Sequence, residues 1–197
     1  VITLSVDGAP LRTWTVEAQQ SATEWIDLPN GISAGESTYA TVRLQVQGGD
    51  IRFDQFDAAP ATKTMFSLGS GWGPTEYEEG TNRVWRRTRR EATIEVRHGG
   101  RPVRLRLTGE SPLLDFTRAP RVLVLAGDQL LDRLVPTDDF SRTVIVDPDV
   151  LDAADGRITI VVDLSRTPEE RAAQVPRREF GLRVVNVEVT RVTSPAG

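Results

Sequence analysis

Residues 91–107 read EATIEVRHGGRPVRLRL, and this stretch indicates the fold of the chain. Apolar side chains stand at every second position on both sides of a central turn: Ala92, Ile94, Val96, then Val103, Leu105 and Leu107. Alternation with a period of two is the pattern of a β-strand with one buried face. Because Gly99 and Gly100 can adopt positive φ, we predict a hairpin turn between the two strands.

The same alternation recurs elsewhere, in residues 40–46, 158–164 and 183–190. RVLVLAG (121–127) is apolar at nearly every position, which is typical of a central strand. The best helix signal is TPEERAAQ (167–174), where a threonine, a proline and a glutamate have the spacing of a capped first turn. We therefore predict an all-β fold, an antiparallel β-sandwich with one short helix.

Composition excludes several function classes. The chain has no cysteine and one histidine, His98, so thiol catalysis, cysteine–zinc sites and two-histidine metal sites are excluded. A net charge of −4 gives no general attraction for nucleic acid, and none is predicted as a partner. No apolar run approaches the roughly 18 residues of a membrane span, so no membrane insertion is predicted. Because the first residues already resemble a strand, we expect a piece of a longer protein.

A weak internal repeat predicts two modules. Segments 2–11, 23–32, 39–48 and 50–58 match 122–131, 142–151, 156–165 and 182–190 in order and spacing. Residues 1–60 are thus predicted to be the C-terminal half of one β-sandwich module. Residues 61–65 are predicted to be a linker in an Ala/Pro/Thr-rich stretch, and residues 66–197 a complete module.

Three motifs carry a family resemblance: GWGPTE (71–76), RVWRRT (83–88) and the closing strand PRREFGLRVVNVEV (176–189). Over residues 66–190 they resemble the galactose-binding-like, jelly-roll β-sandwiches appended to bacterial membrane glycosyltransferases. Residues 1–57 resemble the tail of a carbohydrate-binding module. The resemblance implies a non-catalytic carbohydrate-binding or accessory module outside the cytoplasm. It would be tethered through a membrane region elsewhere in the protein, with a glycan or neighbouring domains as its partners.

If the module binds sugar, the expected site is Trp72, Glu76, Tyr77 and Arg83. Trp72 and Tyr77 would stack on a pyranose ring, and Glu76 and Arg83 would bond its hydroxyl groups. The alternative is a purely structural module that packs between domains, which predicts that Trp72 and Trp85 are both buried. Core positions are the favoured interpretation for these two tryptophans.

For the other charged residues, solvent-exposed or structural roles are favoured over ligand binding and catalysis. The arginines of RVWRRTRR (83–90) could bind phosphate, but solvated faces of an edge strand paired with nearby glutamates are favoured. Successive glutamates in a loop do not give the controlled separation of a glycosidase, so no catalytic residue is predicted. His98 is expected in solvent, without a carboxylate partner. No cofactor is predicted, although Asp50 and Asp54 could contribute to a structural calcium site.

Overall fold

The computed structural model describes residues 1–17, 24–28, 41–51, 56–59, 63–114, 116, 118–163 and 181–192. The chain divides into two compact units, Val1–Ala58 and Ala59–Gly197. All strand pairs in the described ranges are antiparallel.

The first unit contains a three-stranded sheet in the order β2-β1-β3. Its strands are β1 (Ile2–Val6), β2 (Ala9–Trp14) and β3 (Val42–Val46). Asp7 and Gly8 join β1 to β2 with φ values of +48° and +85°, the left-handed geometry of a two-residue hairpin loop. One face of β1 is buried, as its alternation predicts.

The second unit contains two five-stranded sheets, which we name the B sheet, in the order β10-β9-β12-β7-β4, and the C sheet, in the order β11-β8-β13-β6-β5. Their strands are β4 (Met65–Leu68), β5 (Trp72–Glu78), β6 (Arg83–Thr88), β7 (Glu91–Arg97), β8 (Val103–Gly109), β9 (Val122–Ala126), β10 (Gln129–Leu134), β11 (Phe140–Val146), β12 (Arg157–Val162) and β13 (Arg183–Arg191). A 3₁₀ turn (Pro112–Leu114) and helix α1 (Pro148–Ala153) complete the described elements.

Strands β6 to β13 have jelly-roll connectivity. They form two four-stranded layers, β10-β9-β12-β7 and β11-β8-β13-β6, flanked by β4 and β5. Side chains of both sheets share one core cluster, which includes Ile94, Leu105, Val124, Ile160 and Val184. The prediction of an all-β antiparallel sandwich is confirmed. The apolar strand β9 lies inside its sheet, as predicted.

The turn at residues 98–101 is tight but does not form a hairpin. Gly99 and Gly100 have φ values of +58° and +71°, as predicted. However, β7 pairs with β12 and β4, whereas β8 pairs with β13 and β11. The turn therefore links the two sheets across the core. The hairpin prediction was wrong because two amphipathic strands joined by glycines can pair edge to edge or face each other across a core.

The internal repeat extends to the strand geometry of two matched segments. β1 pairs with β2 and β3 as β9 pairs with β10 and β12. Each hairpin carries a β-bulge at the same place, with Leu11 and Leu131 as the extra residues. Residues 24–28 form no strand, unlike their match in β11. Residues 52–55 of the segment 50–58 and the helix predicted at 167–174 lie outside the described residues.

Candidate functional site

The four predicted site residues lie on β5 and β6, but not on one face. In the pairing of these strands Glu76 stands opposite Trp85, and Tyr77 opposite Val84. Because side chains alternate along a strand, Glu76 and Tyr77 point to opposite sides of the sheet. Glu76 shares its face with Arg83, whereas Tyr77 shares its face with Trp72.

Trp72 closes one end of the sandwich. Its ring is partly buried against the core cluster, and its Nε1 donates a hydrogen bond of 2.7 Å to the backbone carbonyl of Thr93 in β7. This bond joins the C sheet to the B sheet. Trp72 is therefore held as a packing residue, although it is partly rather than fully buried.

Trp85 is buried on the other face of β6, at 9% exposure. Its Nε1 donates to Oε2 of Glu76 at 3.1 Å, and the Arg87 guanidinium donates to the same oxygen at 3.2 Å. A carboxylate that accepts from both an indole and a guanidinium is held in one orientation. Glu76 thus fastens edge strand β5 to β6.

Arg183 of β13 covers the Trp85 ring, with its guanidinium carbon 5.1 Å from the ring centroid. The same guanidinium lies 3.3 Å from the carboxylate of Glu110, which is 6% exposed. Arg83 approaches the other oxygen of Glu110 at 3.6 Å. We call these six residues the Trp85 cluster: Glu76, Arg83, Trp85, Arg87, Glu110 and Arg183.

Sequence reasoning missed Glu110 and Arg183. They are 73 positions apart and meet because β13 lies between β6 and β8. The alternation of VRLRLTGE directs Glu110 away from the core, but only the pairing of β13 supplies its partner. β6 is an interior strand, so the prediction of an arginine-rich edge strand was wrong, and the edge strand is β5.

Tyr77 is open to solvent, at 75% exposure, and its cross-strand neighbour Val84 is 48% exposed. At the other end of this face, Trp72 and Thr88 are a cross-strand pair against the core. Val84 is four residues from Thr88, or about 13 Å along a strand. The β5–β6 hairpin therefore extends beyond the core. The face of this hairpin that carries the exposed Tyr77, which we call the open face, also contains Thr75, Val84 and the partly buried Arg86.

His98 is buried rather than solvated, at 8% exposure. Its Nδ1 accepts a hydrogen bond of 3.2 Å from the backbone N–H of Gly100, so Nε2 carries the proton and donates to Asp152 at 3.1 Å. The expectation of a solvated histidine without a carboxylate partner was wrong. Asp152 lies in α1, 54 positions along the chain, and sequence proximity does not reveal it.

Nothing in the geometry of the described residues indicates a reaction centre. Glu76 belongs to the Trp85 cluster, and Glu78 accepts a hydrogen bond of 2.8 Å from the Thr81 hydroxyl. Within the described ranges no three His, Asp or Glu side chains are grouped as metal ligands. Asp54, considered for calcium, lies outside those ranges.

Comparisons with protein-family models, with curated proteins and with solved structures give no match. In the part of the chain that the structure describes, no helix has the length and apolar character to cross a membrane.

Proposed function

We propose that this chain is a non-catalytic recognition module that binds a glycan at the open face of the β5–β6 hairpin. The observation that carries the proposal is the exposed ring of Tyr77 beside Val84. A large aromatic ring loses favourable burial when it stays in water, and it is suited to stack on the apolar face of a sugar. The extracytoplasmic location and the link to a membrane glycosyltransferase rest on the sequence resemblance and belong to the same proposal.

Polar groups flank the ring on the open face. Thr75 and Arg86 form the cross-strand pair next to Tyr77 and Val84. A hydroxyl and a guanidinium beside an aromatic ring are the groups that orient a sugar through its hydroxyls. Tyr77 and Val84 would supply the apolar contact, and Thr75 and Arg86 the hydrogen bonds.

The other predicted site residues receive supporting roles in this proposal. Glu76 and Arg83 point to the opposite side of the sheet, into the Trp85 cluster. Trp72 anchors the base of the hairpin through its bond to Thr93. These contacts hold the hairpin in place without touching the glycan, so the proposed binding set differs from the one expected from sequence.

A second candidate is a structural module whose open face packs against another domain. The same observation favours it, because Tyr77 and Val84 also suit a protein surface. The two candidates differ in what the isolated chain binds: a recognition module binds a free glycan, whereas a packing module binds none.

A glycan array probed with the full chain tests the proposal, since dense display of the sugars reveals weak binding. We expect binding to a restricted set of glycans. Tyr77→Ala should weaken the affinity at least about tenfold, which corresponds to about 1.4 kcal/mol. Tyr77→Phe should retain most of the affinity because the ring is kept.

Phe56→Ala is the matched control, because Phe56 is an exposed aromatic, at 61% exposure, in the first unit. It should leave binding unchanged. Absence of binding by the wild-type chain would favour the packing module, and equal losses in both alanine variants would exclude Tyr77 as the specific contact.

A further inference from the structure

Part of the outer face of the B sheet, on β9, β10 and β12, is apolar. Leu123 and Leu125 of β9 and Val161 of β12 alternate with core residues, so they point away from the sandwich interior and remain partly exposed. Leu130 of β10 stands opposite Leu125 and is 52% exposed. We call these four residues the leucine face.

The first unit provides an internal comparison for this face. Its β2-β1-β3 sheet has the pairing and the bulge of β10-β9-β12. The register makes Thr3, Ser5 and Gln45 the counterparts of Leu123, Leu125 and Val161. The Thr3 hydroxyl is hydrogen-bonded to that of Thr13 at 3.1 Å. The strand arrangement is therefore compatible with polar residues at these positions, so formation of the sheet does not by itself require the leucine face.

Opposite charges flank the leucine face in one cross-strand row. Arg133, Leu123, Val161 and Glu91 follow one another across β10, β9, β12 and β7. Neighbouring strands are about 4.8 Å apart, so Arg133 and Glu91 are separated by about 14 Å. Among the described residues neither side chain has an ion-pair partner.

We propose that two copies of this chain pack through their leucine faces as a twofold dimer. A rotation of 180° about an axis parallel to the strands places Leu123 of each copy against Val161 of the other. The same rotation places each Arg133 opposite the partner's Glu91. Stacked sheets lie about 10 Å apart, a distance that an arginine and a glutamate side chain span together. The row is thus complementary to itself in both apolarity and charge, as an isologous interface requires.

The leucine face and the open face lie on different sheets, so dimerisation does not depend on glycan binding. Its test is the mass of the full chain in solution, measured by sedimentation over a wide concentration range. We expect a dimer whose population rises with concentration. Replacing Leu123 by Thr and Leu125 by Ser, the residues of the first unit, should give a folded monomer with an unchanged circular dichroism spectrum.

Charge reversal tests the arrangement of the two copies. Arg133→Glu and Glu91→Arg should each raise the dimer dissociation constant at least about tenfold, because each creates facing like charges. The double variant should restore the dimer. Thr13→Glu, at the position equivalent to Arg133 in the first unit, is the control and should change nothing.

A wild-type chain that stays monomeric at every concentration overturns the inference and assigns the leucine face to another partner. A dimer that persists in the Leu123→Thr, Leu125→Ser variant overturns it as well. If the double charge reversal fails to restore dimerisation, the proposed pairing of Arg133 with Glu91 is wrong.

Discussion

Gly71 occupies the bend between β4 and β5, where the backbone needs a residue without a side chain. Its φ is +82°, and a Cβ there would collide with the carbonyl oxygen of Glu91 and lie 2.7 Å from Cα of Ala92. Both obstacles belong to the backbone of β7, which cannot move aside as a flexible side chain can. The close approach lets Trp72 bond to Thr93 at the end of the sandwich.

Gly71→Ala should therefore destabilise the second unit by clearly more than the conformational cost of positive φ, which is about 1–2 kcal/mol. Gly80→Ala is the matched control: Gly80 has a φ of +90°, and in the described part of the chain no atom lies within 4 Å of a Cβ added there. Urea denaturation of both variants separates backbone conformation from packing. If Gly71→Ala and Gly80→Ala lose the same stability, the close contact between Gly71 and β7 makes no contribution to the free energy of unfolding.

For single residues, the sequence predicted exposure better than it predicted contact partners. Tyr77 was predicted as a ligand contact and is exposed, and Trp85 was favoured as buried and is buried. Two contacts were not predicted: Arg183 of β13 covers the Trp85 ring, and Asp152 of α1 is the partner of His98. Both partners are distant in sequence, and local periodicity does not identify them. Alternation predicts the side of a strand on which a residue lies, but not which distant residue meets it there.

Among the elements, β10 and β11 are edge strands of different sheets joined by one ion pair. Arg142 donates to both carboxylate oxygens of Asp132 at 3.0 Å. These hydrogen bonds lower the pKa of Asp132 below its ordinary value, against the opposing effect of burial. The pair holds the two sheets together along this edge of the sandwich.

The lowered pKa of Asp132 in the folded state makes the stability of the fold depend on pH. Ionised Asp132 stabilises the fold fully above its unfolded pKa of about 3.9, and this contribution is lost as the pH falls through the lower folded value. Asp132→Asn should cost about 1 kcal/mol or less at pH 7, because Arg142 is half exposed and solvent screens its charge. The difference from wild type should shrink below about pH 4.

Urea denaturation at pH 7 and in acid measures this effect, with a double-mutant cycle that includes Arg142→Gln. The two substitutions should be non-additive at pH 7 and closer to additive in acid. A difference between wild type and Asp132→Asn that is independent of pH would exclude the ion pair as its origin.

Sequence patterning predicted elements better than their connections. The strands follow the alternation of apolar residues, and β9 is an interior strand as its two apolar faces indicate. The link from β7 to β8 was misassigned because its glycine turn suits both a hairpin and a crossing between sheets. Helix α1 was not identified from the sequence: Pro148 occupies its first turn, but the Asp147 side chain makes no capping hydrogen bond.

At the scale of the molecule, the repeat relates a small unit to a large one. The three strands of the first unit correspond to β9, β10 and β12 of the second, and β12 also pairs with β7. The second unit contains both layers of a jelly roll. That residues 1–60 are the C-terminal half of such a module, followed by a linker at 61–65, stays a prediction.

The two units bury apolar groups in separate sets, and this predicts separate unfolding events. Ile2, Leu4 and Val6 are the buried apolar residues in the described part of the first unit, whereas the members of the large core cluster all belong to the second unit. A three-stranded sheet with one apolar face is only modestly stable, because it buries little surface for the backbone it orders. We expect calorimetry of the full chain to show two transitions, with the first unit unfolding at the lower temperature.

Substitutions in the two cores show which unit gives rise to which calorimetric transition. Truncating a buried leucine costs about 2–5 kcal/mol, so Leu4→Ala should abolish the lower transition and leave the upper one in place. Leu105→Ala, its counterpart in the large core, should lower the upper transition by several degrees. If calorimetry instead shows one cooperative transition and either substitution shifts all of it, the two units unfold together. The stability of the first unit then depends on the second.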